Sequence, residues 1–304
     1  MDPVARIADA VLYEGYVLWP YRRSALKNQR RWTFGGIFPP AHSRAHPDDR
    51  CRARTQCLVQ GNPEIEVAAR FLQVVRRQAV DAHGRALDEL VAGGRRHLSW
   101  DEAVEREAGP GVIAIPAGSA VEDLGSAGAL HRSWQALAGE VAVGTEPLGD
   151  GLHRITVDLI NTTPFAGDDR EAALHRTFCS AHAVLRARAG AFVSLTDPPV
   201  ALRDAARRCV NDGLWPVLVG EPGRRDTMLA APIILEDHPR VAPESPGDLF
   251  DGGEIDELLA LNILSLTDAE KAEMRASDPR TREILERTEA LTRDDLLRLH
   301  GAWR

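Results

Sequence analysis

The chain has 304 residues, 44% of them apolar and 27% charged, and carries a net charge of −8. It is long enough to bury a sizeable core as one large domain or two ordinary ones, but no apolar run reaches the ~18 residues of a membrane helix. The N-terminus reads as no signal peptide, the four cysteines are too irregularly spaced for a disulfide framework, and the negative balance weighs against nucleic acid as a partner. A cytoplasmic protein without a membrane span is the expectation.

The first sixty residues carry ten Lys/Arg against five Asp/Glu. They open with an expected helix from Val4 to about Tyr16, ended by Pro20. Basic and aromatic residues then alternate from Trp19 and Tyr21 through Arg31 and Trp32 to Gly36. Such a stripe can grip a partner or stack on RNA bases, although arginine and tryptophan more commonly pack on each other at a domain surface. The polar run from Phe38 to Arg54 reads as a long loop.

A β-rich middle follows. Ile65, Val67, Ala69 and Phe71 take alternate positions, as in a half-buried strand, and the phase slips at Leu72 and Val74, consistent with a bulge. Residues 87–108 and 111–115 supply shorter strands, with Gly93-Gly94 as a hairpin tip. Val141 and Val143, the turn Gly149-Asp150-Gly151, and Ile155, Val157 and Leu159 make the clearest hairpin. Asp168-Asp169 offers an N-cap to a helix or turn running to about His182. Residues 183–195 return to strand composition, and Val200 to Val210 is helical in composition. Two apolar runs, Trp215–Val219 and Met228–Leu235, flank the turn-forming stretch 220–226 and read as paired strands.

The last seventy residues reverse the charge balance, with nine Lys/Arg against seventeen Asp/Glu over 236–304. Helices here are well punctuated. Thr267 and Glu270 form a capping box, Asp278-Pro279 is an N-cap followed by proline at the first helical position, and Thr292 repeats the cap. The fold expected is α+β: a body of mainly antiparallel strands, sandwich-like, with a helical C-terminal arm. Candidate divisions are 1–60, 61–250 and 251–304, although all could be one domain.

Two constellations could hold a transition metal such as zinc, nickel or iron. His42, His46, Cys51 and Cys57 bring two imidazoles and two thiolates on a loop that could wrap an ion. Their spacing lacks the close cysteine pairs of structural zinc sites, and surface histidines with half-buried cysteines are the plainer reading. His175, Cys179 and His182 would share one face of a helix over 170–182, as a metal site, as a thiolate beside imidazole, or simply as a buried stripe. Asp237, Glu244, Asp248, Asp251, Glu254 and Asp256 could form a cation or general-acid site if the fold gathers them; their simplest role is to favour a helix N-terminus near Ile255. The chain has no phosphate-cradling glycine loop, Gly-x-Ser-x-Gly elbow, His-Glu-x-x-His or Cys-x-x-Cys.

Three stretches look familiar together. They are Leu12-Tyr-Glu-Gly-Tyr16 through Pro20-Tyr-Arg-Arg-Ser-Ala-Leu-Lys-Asn28 with Trp32-Thr-Phe-Gly35; Trp215-Pro-Val-Leu-Val-Gly-Glu221 with Asp226-Thr-Met228; and Ala242-Pro-Glu-Ser-Pro-Gly-Asp-Leu-Phe-Asp251 running into Glu254-Ile-Asp-Glu257 and Asp268-Ala-Glu-Lys-Ala-Glu-Met274. The combination resembles an uncharacterised bacterial family whose genes accompany those of nickel–iron hydrogenases, especially in actinobacteria. The resemblance spans nearly the whole chain and implies context, not a reaction. A large hydrogenase subunit would need two Cys-x-x-Cys motifs and a small one many cluster-binding cysteines, which this chain lacks. The resemblance therefore implies an accessory or assembly factor whose partner is a hydrogenase subunit or maturation protein. Candidate contacts are Trp19, Tyr21, Arg31 and Trp32 in the basic segment, and Trp215, Glu221, Asp226, His238, Glu244, Asp248 and Asp251 in and after the paired strands. The alternative is a metal-binding enzyme or metallochaperone using one of the His/Cys sets.

Overall fold

The computed structural model describes residues 3–13, 34–239 and 256–292. In chain order, helix α1 (Pro3–Tyr13) and the short helix α2 (Pro40–Ala45) precede the long strand β1 (Arg52–Asp81). Short strands follow: β2 (Ala86–Leu87), β3 (Glu89–Ala92), β4 (Arg95–Leu98), β5 (Trp100–Ala108), β6 (Gly111–Ile115), β7 (Gly118–Asp123) and β8 (Gly128–Trp134). The hairpin β9 (Leu137–Gly149) and β10 (Leu152–Asn161) leads to helix α3 (Arg170–Leu174), strand β11 (Cys179–Val193) and helix α4 (Arg203–Arg207). Strands β12 (Trp215–Leu218) and β13 (Thr227–Ala231) precede helices α5 (Asp256–Leu264), α6 (Asp268–Ser277) and α7 (Pro279–Glu289). The protein is therefore β-rich α+β, as its alternation and caps imply.

Strand β1 has 30 residues and organises the sheet. Its residues 52–60 pair with β10, 58–72 with β11, 69–77 with β5, and 76–81 with β8, all antiparallel. Where two partners overlap they must lie on opposite edges, so the strand is sandwiched between neighbours that change along its length. The main path of the 11-stranded sheet runs β12-β13-β11-β1-β10-β9-β6. Position 60, a candidate division in the sequence, lies inside β1. The phase slip near Leu72 does coincide with a register shift against β11, between Arg70 and Leu72. The extra residue belongs to β11, however: Ser180 and Ala181 face Phe71, and Ser180 takes a left-handed φ of 51°. In β1 itself Val67, Ala69 and Phe71 point to one core and Leu72 and Val74 to another.

The inner core joins Cys57, Val59, Val67 and Phe71 of β1 with Ile155, Val157, Leu185, Met228 and, from the far end of the path, Ile113. No helical residue belongs to it among those described, so the sheet itself must exclude water by curling over. At its centre the Phe71 and Phe178 rings stack with centroids 4.5 Å apart. Gly139 admits this packing, because a Cβ there would lie 2.3 Å from the Ile160 carbonyl oxygen and 2.7 Å from the Phe178 ring.

The outer face is covered by helices. Ala8 and Val11 of α1 bury Val184, Val217, Val219 and Leu229, while Leu12, Ile263, Met274 and Ile284 pack over Leu72, Val74 and Trp100. Charged bonds hold the helices in place. The Tyr13 hydroxyl donates to Glu105 (2.6 Å), Arg70 donates to Asp9 (2.7 Å) and Glu105 (3.3 Å), and Arg280 donates to Glu105 (2.7 Å). The Arg280 guanidinium also lies over the Tyr13 ring, so α1, β1, β5 and α7 meet at one carboxylate. Burial, reinforced by the bond to Glu105, pushes the Tyr13 hydroxyl well above its ordinary pKa. Three of the expected caps are present, Asp169 on α3, the Thr267–Glu270 box on α6, and Asp278 with Pro279 on α7, while the helix that Thr292 would cap lies outside the described residues. Helix α1 spans Pro3–Tyr13, and the stretch read as a long loop before β1 contains α2.

Gly139→Ala is expected to cost roughly 1–3 kcal/mol, the range for overpacking a tight core. Gly144→Ala, on the same strand where a Cβ meets nothing within 4 Å, should change stability little. Urea unfolding of the two variants checks this; equal effects would show that Gly139 does not set the packing.

Candidate functional site

Strands β12 and β13 pair antiparallel, with Trp215 opposite Ala231 and Leu218 opposite Met228. Their runs are continuously apolar because both faces are buried. Val217, Val219, Leu229 and Ala231 meet α1, while Leu218, Met228 and Ala230 enter the inner core. The connection turns through two left-handed glycines, Gly220 (φ 101°) and Gly223 (φ 87°). Arg224 N–H closes the turn on the Glu221 carbonyl at 3.0 Å.

The chain beyond β13 returns along the free edge of β12. The Asp237 carboxylate accepts from the Ser194 and Thr196 hydroxyls and from Leu218 N–H. His238, at a left-handed φ of 55°, donates its backbone N–H to the Leu218 carbonyl (2.7 Å) and places Nδ1 3.2 Å from the Gly220 carbonyl oxygen. Asp237 is thus committed to holding the segment in place.

A cleft of about 320 Å³ opens beside Gly220, between the hairpin tip, β11 and the start of α1. Its walls include Val4, Glu66, Arg186, Arg188, Arg224, Asp226 and Thr227. Arg188 Nη2 lies 2.6 Å from Glu66 Oε1, and Arg224 Nη2 lies 2.6 Å from Asp226 Oδ2. The hydrogen bond from Arg224 holds the Asp226 carboxyl below its usual pKa. Of the candidate contact residues, Glu221, Asp226 and His238 gather around Gly220, whereas Trp215 lies half-buried at the opposite end of β12. Trp19, Tyr21, Arg31, Trp32, Glu244, Asp248 and Asp251 lie outside the described residues. Arg186, Arg188 and Glu66 were not singled out in the sequence. The signal that could have found them is the alternation Leu185-Arg186-Ala187-Arg188, which turns both guanidiniums to one face of a strand.

Neither His/Cys set is gathered around a common point. His42 of α2 is fully buried, its Nε2 2.9 Å from Asp49 Oδ2, and its ring stacks between Phe38 and His46 at centroid distances of 5.0 and 4.4 Å. The two imidazoles therefore lie face to face. His46 Nε2 sits 3.3 Å from the Asp168 carbonyl oxygen. Cys57 points into the inner core, where burial raises its thiol pKa, and Cys51 lies half-buried before β1.

For the second set, the expected helix over 170–182 ends at Leu174. His175 caps it, with Nε2 3.4 Å from Asp101 Oδ2, while Cys179 and His182 belong to β11. The correction has a physical cause: Ala181, Ala183, Leu185 and Ala187 belong to the inner core and Val184 to the outer layer, a period of two that a helix could not provide. His182 is fully buried, with Nδ1 3.2 Å from the Ser180 carbonyl oxygen. Among the described residues no group of three His, Cys, Asp or Glu could hold a metal ion. The same residues contain no helix long and apolar enough to cross a membrane.

Compared with known proteins, the chain matches no family model and none of the curated sequences.

Burial lowers the His182 pKa from 6.5 to about 4, helped by Arg70. Because the folded pKa is depressed, its stabilising contribution is complete above pH 6.5 and is lost as pH falls toward 4. The loss should be on the order of 3 kcal/mol across that window. Urea midpoints between pH 7 and 4.5 should fall for the native protein and flatten in His182→Gln; parallel curves would sink the assignment.

Proposed function

We propose that this chain is an accessory protein that supports assembly or activity of a nickel–iron hydrogenase, by contact with a hydrogenase subunit or a maturation protein in the cytoplasm. The observation that carries the reading is the resemblance, in three distinctive stretches, to bacterial proteins whose genes accompany those of such hydrogenases. The second of those stretches, Trp215–Glu221 with Asp226–Met228, coincides with β12, the hairpin tip and the start of β13. Val219, Gly220, Asp226 and Thr227 of that stretch thus form part of the cleft wall. Exposed loop tips on a rigid sheet commonly carry recognition, and Glu221 and His238 add polar groups at this tip. The basic segment 19–36 and the acidic segment 236–257 are the further candidate contact segments.

Mild affinity purification from a native host making the hydrogenase is expected to recover hydrogenase subunits or maturation proteins. The association should weaken at least about tenfold when Glu221 and Asp226 are both replaced by arginine, a reversal of charge at a proposed rim. Deleting the gene should lower hydrogenase activity or leave subunits unprocessed. Unchanged activity and maturation in the deletion strain would refute the proposal.

A further inference from the structure

We propose that the outer edge of β6, continued into β7, is a self-association surface. It pairs antiparallel with the same edge of a second copy of this chain, so that one sheet runs through a symmetric dimer. β6 ends the main sheet path opposite β12, so this surface is separate from the proposed contact at Gly220.

The two ends of the path are finished differently. The outer edge of β12 is covered: Leu218 N–H donates to the Asp237 carboxylate, and the Leu218 carbonyl accepts from His238 N–H. β6 pairs with β9 alone, and β7 with β8 alone. Ile115 lies opposite Leu137 and Gly118 opposite Trp134, three residues on along both strands, so one register passes unbroken through both pairs. Trp134 braces the joint. Its Nε1 donates to the Pro116 carbonyl at 3.2 Å, and a Cβ on Gly118 would lie 2.5 Å from its ring. Residues 111–123 therefore form one edge, and among the described residues no strand or loop pairs with its outer side.

Folded proteins protect such an edge with lysine, proline, a bulge or a cover. β6 itself, Gly-Val-Ile-Ala-Ile, has no lysine, no proline and no register shift. The 13 residues from Gly109 to Val121 contain no charged side chain, in a chain that is 27% charged. Ile113 and Ile115 turn to the inner core, which leaves Val112 and Ala114 on the outer face, with Val112 85% exposed.

A second copy suits this edge better than a foreign strand. An edge that selects a foreign peptide offers pockets for its alternate side chains, whereas Val112 and Ala114 project into solvent and no charge is present to choose a partner's sign. Two molecules that each carry −8 repel over most of their surfaces. An uncharged stripe lets them meet at the least electrostatic cost. Pairing about a two-fold axis places the same patch on both copies and leaves neither edge open. A strand-to-strand contact belongs with the small interfaces, below ~1,200 Å², so the dimer should dissociate in the micromolar range.

The test is sedimentation velocity of the full chain from low to high micromolar concentration, where a monomer–dimer equilibrium is expected. The double variant Val112→Lys/Ala114→Lys should weaken dimerisation at least about tenfold, because the two-fold axis sets like charges across the new ladder. Both positions are exposed, so its Tm should stay near that of the native protein. Amide exchange of the native protein at 111–115 should slow as concentration rises. A monomer at every concentration overturns the proposal. So does a dimer that forms equally well in the double variant, or one whose amides at 111–115 exchange at a rate independent of concentration.

Discussion

The structure depends on one strand being hydrogen-bonded along both edges. A strand of 30 residues presents far more unpaired N–H and C=O groups than any single neighbour can satisfy. β1 meets this demand by passing from β10 and β11 to β5 and β8, so that the main parts of the sheet are built on one backbone. The single proline within it, Pro63, sits where the ladder can spare a donor. Pairing with β10 ends at Gln60, and the register with β11 breaks between Gly61 and Glu64. Both cores follow from the same strand, since successive residues point to opposite faces. Val67, Ala69 and Phe71 reach the curled inner core, and Leu72 and Val74 reach the helical layer.

The helices on the outer face use two kinds of interaction with different consequences. Apolar burial by Val11, Leu12 and Ile263 supplies adhesion without direction. The bonds converging on Glu105 supply direction: Tyr13 from α1, Arg70 from β1 and Arg280 from α7 each reach it. Burial opposes ionisation of Glu105, yet these partners hold its carboxyl below its ordinary pKa. Arg77 plays a similar part for α6, donating to the Ser277 carbonyl at 2.7 Å near the end of that helix. Partly buried networks of this type fix where an element sits more than they add to stability.

Local features were legible in the sequence, and features set by distant pairing were not. The β9–β10 hairpin announces itself through Gly149-Asp150-Gly151, and the C-terminal helices through Thr267 and Asp278, because turn and cap chemistry acts within a few residues. The apolar runs at 215–219 and 228–235 gave the paired strands. The full length of β1 was hidden, because alternation fails as a signal from Leu72 to Val75, where both faces are buried. His175, Cys179 and His182 imitate a helical stripe, and only the contacts of β11 with β1 and β13 show that 179–193 is a strand. At the cleft, Asp226 and Glu221 could be named from turn composition. Arg186 and Arg188 come from another strand, and nothing local connects them to residue 220.

The pairing order has a further consequence for how the chain is made. The first half of β1 emerges during synthesis long before its neighbours: Val67 pairs with Leu185, and Ala53 with Leu159. Until β10 and β11 have left the ribosome, both edges of the first half of β1 are open, with Val59, Val67 and Phe71 lacking the strands that bury them. Contacts this distant in sequence make folding slow, and an open apolar edge invites pairing with other chains. Nascent chains stalled between residues 81 and 150 would thus carry the least protected state of the molecule, and the sheet becomes safe only when its later partners arrive.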